Sequence, residues 1–240
     1  MVKHSRLPAE ERRQSILLAA VPLFAEFGFK GTTTRMIAAS AHVSEALLYK
    51  HFPSKDAIYS ELQELCCADK KEVSEKVKAL EPSTSTLIYL IYYLISTIFQ
   101  GDRGEDETGF QHRDLQRLMA NSFLEDGVFA TVFLDHNIAV WEPILMRSIE
   151  AAIASGDMIE DWLHPSARWW LGHHLAVACG LLNLPAETVI PYSFPIEDLL
   201  NHAVRFALRG MGLTDKAIAT HYNPGVLALF KQNLHRQSSQ

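Results

Sequence analysis

Residues 28–55 read GFKGTTTRMIAASAHVSEALLYKHFPSK, and their punctuation and apolar spacing describe two short helices joined by a tight turn. Gly28 and Gly31 end a preceding amphipathic helix, and the hydroxyls of Thr32 to Thr34 supply an N-cap for a helix carrying Ile37, Ala38 and Ala41 on one side. The turn falls at Ala41–His42. Ser44 then caps a second short helix, with Val43, Leu47 and Leu48 available to pack inward and Glu45, Ala46, Tyr49 and Lys50 left facing out. This arrangement is a helix-turn-helix, whose second helix is the candidate reader of the DNA major groove.

Charge agrees with that placement once it is divided along the chain. The whole chain of 240 residues carries a formal −6, yet residues 1–60 hold eight basic residues against five acidic ones, net +3, which leaves −9 for the remainder. The basic end is the part that would meet phosphate.

The same residues strongly resemble the N-terminal domain of the TetR family of bacterial one-component regulators. The resemblance is carried by Ala19, Ala20, Leu23, Phe24, Gly28 and Phe29, then Thr32, Thr33, Ile37 and Ala38, then Ala41, Val43, Ser44, Tyr49, His51, Phe52, Ser54 and Lys55, in family spacing without a gap. His42 departs from the pattern, because the family usually places glycine in the turn. Histidine is among the less disfavoured residues at positive φ, so the turn survives with some local strain. Pro22 is a second irregularity, expected to bend the first helix without breaking it.

By this resemblance Thr33, Tyr49, His51 and Lys55 would clamp phosphates, with Lys55 at a helix N-terminus that attracts an anion. Ser44, Glu45, Ala46 and Lys50 would meet bases or nearby backbone, and Arg35 lies on the outer face of the preceding helix. Arg35 and Lys50 are the strongest candidates for base contacts, since donors of their kind can read guanine. Tyr49 as a plain packing aromatic and Glu45 as a solvated side chain are the structural alternatives.

The expected fold is all-α: an N-terminal three-helix helix-turn-helix domain over residues 1–54, a connecting helix over about 55–79, and a helical-bundle ligand-binding and dimerisation domain over 80–240. Ile16, Ala19, Ala20, Leu23, Phe24 and Phe27 give the first helix, Ala9 to Phe27, one apolar face. Further helices are expected at Leu87–Phe99, about Phe110–Asn121, Gly127–Ala154, Pro165–Leu182 and Ile196–Gly210. Between the first two of these, GDRGEDETG reads as an exposed mobile loop. A short docked helix follows the turn at Pro224-Gly225, with a frayed polar end.

The family's second domain holds a small-molecule cavity, and Phe110, Met119, Phe123, Phe133, Trp141, Trp169 and His173 are candidates for it by position, with Arg113 or His173 orienting an apolar or aromatic ligand. Core filling is the commoner duty of such aromatics. Gly172, Ala176 and Gly180 form a small-residue stripe, and Leu199, Ala203 and Phe206 an apolar face; together they suit a dimeric four-helix bundle, with packing inside one chain as the alternative.

No cofactor or metal is expected. His173 and His174 point about 100° apart on a helix and cannot chelate one ion together, and no glycine-rich phosphate loop, Gly-x-Ser-x-Gly elbow or zinc-protease spacing occurs. Cys66, Cys67 and Cys179 suit reduced thiols better than a structural disulfide. With no signal-peptide pattern, and an apolar run Leu87–Phe99 too short for a membrane span, a cytoplasmic protein is expected. The implied function is a homodimeric repressor that binds a palindromic double-stranded DNA operator and leaves it when a small hydrophobic or aromatic effector binds. The rival is a helical enzyme or cofactor-binding protein whose N-terminal domain serves in assembly.

Overall fold

The computed structural model describes residues 8–67, 71–100, 112–160, 163–185, 187 and 189–235. These form α1 (Ala9–Gly31), α2 (Thr34–Ser40), α3 (Glu45–His51), α4 (Lys55–Cys67), α5 (Lys71–Lys78), α6 (Thr84–Gln100), α7 (His112–Leu124), α8 (Val128–Ala154), α9 (Pro165–Leu182), α10 (Leu199–Gly210), α11 (Asp215–His221) and α12 (Pro224–His235). One 3-10 turn (Ile196–Asp198) precedes α10, and an isolated bridge joins Met158 to Leu213. The chain divides into two compact units, residues 1–68 with 102–135, and residues 69–101 with 136–240.

The first unit is built around α1. Ile16, Leu17, Ala20, Val21, Phe24 and Ala25 recur at helical spacing and are buried, and they share one core with Ile37, Ala38, Leu48, Ile58 and Leu62 from the next three helices and with Phe52 just after α3. Each large apolar side chain buried this completely contributes roughly 1.5–3 kcal/mol relative to exposure. Phe27, expected on the buried face, is instead left at the surface. α1 runs through Pro22, whose ring is exposed, and its helical geometry is interrupted at Gly28, where φ is 69°.

The same unit also takes in α7, which lies along α1. Leu118 of α7 and Phe129 at the start of α8 are buried in the α1 core. Asn121 donates from Nδ2 to the carbonyl of Ala25 at 2.9 Å, which answers a carbonyl left open near the Gly28 break.

The second unit is organised by α6. Leu87, Ile88, Tyr89, Leu90, Ile91, Tyr92, Tyr93 and Ile95 are all buried, and a helix apolar around its whole circumference belongs at the centre of a bundle. It is packed by α9, α10, α11 and α12. Thr214 caps α11 by accepting from Ala217 N at 3.1 Å. This short helix was not expected, because its seven residues offer only about two turns of periodicity.

The expected rod from Lys55 to Ala79 is described as α4 and α5, with residues 68–70 between them outside the described residues. The acidic loop at 101–109 and Phe110 also lie outside them, as does the end of the chain from 236.

Candidate nucleic-acid interface

The helix-turn-helix is held by local hydrogen bonds that its sequence dictates. Thr32 is buried, and its hydroxyl donates to the carbonyls of Gly28 at 2.8 Å and Leu23 at 3.0 Å, closing the end of α1. Thr33 caps α2 by accepting from Met36 N at 3.2 Å, and Ser44 caps α3 by accepting from Leu47 N at 3.2 Å. Between them, His42 adopts φ 54° and is the one non-glycine residue at positive φ among those described. The turn therefore has the left-handed geometry that a glycine would supply, and histidine bears the strain.

α3 presents two faces of different character. Leu48 is fully buried in the core that α1 lines, while Glu45, Ala46, Tyr49 and Lys50 are exposed, Tyr49 to 48%. Thr33, Arg35 and Ser44 are exposed as well, and His51 is half-buried. The Tyr49 hydroxyl lies 3.1 Å from the hydroxyl of Thr34, so the phenol is held between α3 and α2. Thr34 was not among the sequence candidates; only folding brings its hydroxyl to the tyrosine.

Lys55 is placed differently from the other phosphate candidates. Its Nζ donates to the carbonyls of Phe29 at 2.6 Å and Thr32 at 2.9 Å and sits 4.2 Å from the centre of the Phe29 ring. An ammonium so placed holds the chain after the Gly28 break in position. Arg13 has a comparable duty that sequence reasoning missed. Its guanidinium grips the Glu61 carboxylate with two nitrogens, donates to the carbonyl of His51 and lies 4.2 Å over the Phe52 ring. One side chain of α1 thus fixes the end of α3 and the side of α4.

The candidates for a ligand cavity fall into different units. Arg113, Met119, Phe123 and Phe133 belong to the first unit, where Arg113 and Phe123 are exposed. Trp141, Trp169 and His173 belong to the second. There Trp141 stacks on Tyr93 at 4.9 Å and Trp169 on Trp170 at 4.2 Å. Burial, with His174 beside it, pushes His173 down to about 4, so its ring is neutral near pH 7.

The expected dimer face also divides. Gly172 lies against Ala207 inside the unit, a Cβ there falling 3.8 Å from that of Ala207, and Ala176 and Gly180 are buried. Leu199 and Ala203 are buried too, whereas Phe206 is 70% exposed. Gly172 therefore serves the packing of α9 on α10 within one chain, and Ala176 and Gly180 are buried inside the same unit. The large apolar side chains that α9 and α10 leave exposed are Leu171, Leu181, Leu182 and Phe206. Among the described residues no group of three or more histidine, cysteine, aspartate or glutamate side chains could hold a metal ion, and no helix is long and apolar enough to cross a membrane.

Residues 16–62 match the family model for bacterial regulatory proteins of the tetR family. The chain is 28% identical over 152 residues to the HTH-type transcriptional regulator HbdR of Aromatoleum sp. (strain CIB), covering 62% of this chain and 61% of that protein. It is 31% identical over 106 residues to the HTH-type transcriptional regulator AcrR of Shigella flexneri, covering 43% of this chain and 49% of that protein. The chain thus spans less than two thirds of either relative. In structure it resembles a bacterial regulatory protein of the tetR family from Rhodococcus RHA1, with a TM-score of 0.59, 23% identity, and 85% of this chain and 99% of that one covered.

Proposed function

We propose that this chain, a member of the TetR family, is a transcriptional repressor that binds a palindromic operator as a homodimer and is released by a small hydrophobic or aromatic effector. The observation that carries the reading is the solvent face of α3, capped by Ser44, anchored by buried Leu48 and presenting Glu45, Ala46, Tyr49 and Lys50. A helix of seven residues has too little surface to hold DNA alone, and two copies joined in one molecule multiply affinity through effective concentration.

Arg35 and Lys50 are assigned to base edges, and Thr33, Ser44 and Tyr49 to phosphate and nearby backbone. His51 supports this set through its backbone. The leucines exposed on α9 and Phe206 on α10 are assigned to the partner chain. An effector that favours one packing of the second unit would change the separation of the two reading helices, and its differential affinity for the two states sets the size of the response.

Sedimentation of the full chain with a duplex it retains tests the reading. Two chains per duplex, released by an effector, are expected; one chain per duplex, or retention with no preference among sequences, would overturn it. The rival assembly role gains nothing from the relatives above, which are named as transcriptional regulators.

A further inference from the structure

Two nitrogens on α9, Trp169 Nε1 and His173 Nδ1, are shut away from solvent with no hydrogen-bond partner among the described residues. Folded proteins seldom leave such groups unmet. A buried hydroxyl can turn toward a backbone carbonyl, but an indole N–H and a packed imidazole are fixed in direction. The two residues are one helical turn apart on α9, so their side chains share a face. Trp169 is only 4% exposed, and Trp170 stacks on it at 4.2 Å while meeting His173 edge-on at 5.3 Å. Both unmet nitrogens therefore belong to one aromatic cluster.

The chemistry of these groups restricts what could meet them. An indole N–H only donates, so its partner must be an acceptor. The nearest buried cation on the same helix is Arg168, whose guanidinium donates to the carbonyls of Met211 and Ile159. The neutral ring of His173 adds no positive charge, so an anion would enter without compensation. We infer that the effector is an uncharged apolar molecule bearing a carbonyl oxygen, as in a ketone, ester or amide, which accepts from Trp169 Nε1 on the face of α9 shared with His173. This rests on the reading of the second unit as a sensor.

The test uses thermal unfolding of the full chain and of Trp169→Phe, alone and with naphthyl and decyl compounds, each supplied as methyl ester, carboxylate and hydrocarbon. Esters should raise the wild-type melting temperature, and the variant should need at least tenfold more ester for the same shift. A variant that responds to the esters at the same concentrations as the wild type would overturn the inference. So would hydrocarbons or carboxylates that stabilise as well as the esters, or esters that give no shift. Release of DNA by a carboxylate or hydrocarbon would leave the sensor reading standing while this inference fell; release by no compound of any series would count against both.

Discussion

Lys50 and Tyr49 stand next to each other on α3, yet they should fail differently. A lysine aimed at a base edge carries sequence information, so Lys50→Ala should lose about 1–3 kcal/mol of discrimination at one operator position. Tyr49→Ala should weaken all duplexes alike, since a hydroxyl on phosphate positions the protein without reading sequence; binding curves on matched and scrambled duplexes separate the two. Arg13 should act on stability. Its ion pair with Glu61 is about a third exposed and is worth little alone, but the His51 carbonyl and the Phe52 ring add to it, so Arg13→Ala should cost about 1–2 kcal/mol in denaturant unfolding. Lysine would not restore the fork. His173 makes stability depend on pH. Held down to about 4 by burial, it stays neutral in the folded protein while the unfolded chain gains a proton near the ordinary 6.5. Protons then favour the unfolded state, and stability should fall as pH drops from about 6.5 toward 4. The loss should be smaller in His173→Leu; equal losses in both proteins would contradict the assignment.

At the scale of elements, the turn between α2 and α3 was legible because its signals are local. Ser44 reads as a cap from its neighbours alone, while the glycine that the TetR family usually places where His42 stands is what pointed to left-handed backbone there, which His42 adopts. Left-handed geometry costs an L-residue about 1–2 kcal/mol, and the greater freedom of unfolded glycine offsets about 0.5–1 kcal/mol of the relief. His42→Gly should therefore stabilise by about 0.5 kcal/mol, whereas Gly28→Ala, at φ 69° and ψ 178° in a region open essentially to glycine alone, should destabilise by about 1–3 kcal/mol, both read as shifts in denaturant midpoint. Gly28 faces a further constraint, since a Cβ there would run into the Glu125 carboxylate. That contact, like Asn121 on the Ala25 carbonyl and the whole docking of α7 on α1, joins residues nearly a hundred positions apart and leaves no periodic trace in the sequence. The spacing of Gly172, Ala176 and Gly180 suggests close helix approach, and at Gly172 the approaching helix is α10 of the same chain, which spacing alone could not say.

For the molecule as a whole, the division of α10 into buried Ala203 and exposed Phe206 turns dimerisation into a contrast between two variants. A charge at Phe206 should separate subunits and leave protomer unfolding nearly unchanged, because that ring is 70% exposed in the protomer. A charge at Ala203 sits in the core of α6, α9 and α10 and should cost the protomer several kcal/mol. Sedimentation and thermal unfolding of Phe206→Asp and Ala203→Glu distinguish the two outcomes, and a Phe206→Asp variant that sediments like wild type would remove α10 from the interface. Two α3 helices brought together by a two-fold axis must read the same bases in opposite directions. The most direct measurement of the central claim is therefore the sequence of duplex fragments that the purified full chain selects from a random library at moderate salt. The account predicts an inverted repeat, lost from the selected pool when Phe206→Asp replaces the wild type. Fragments enriched for a single direct site, or a pool indistinguishable from the starting library, would contradict it.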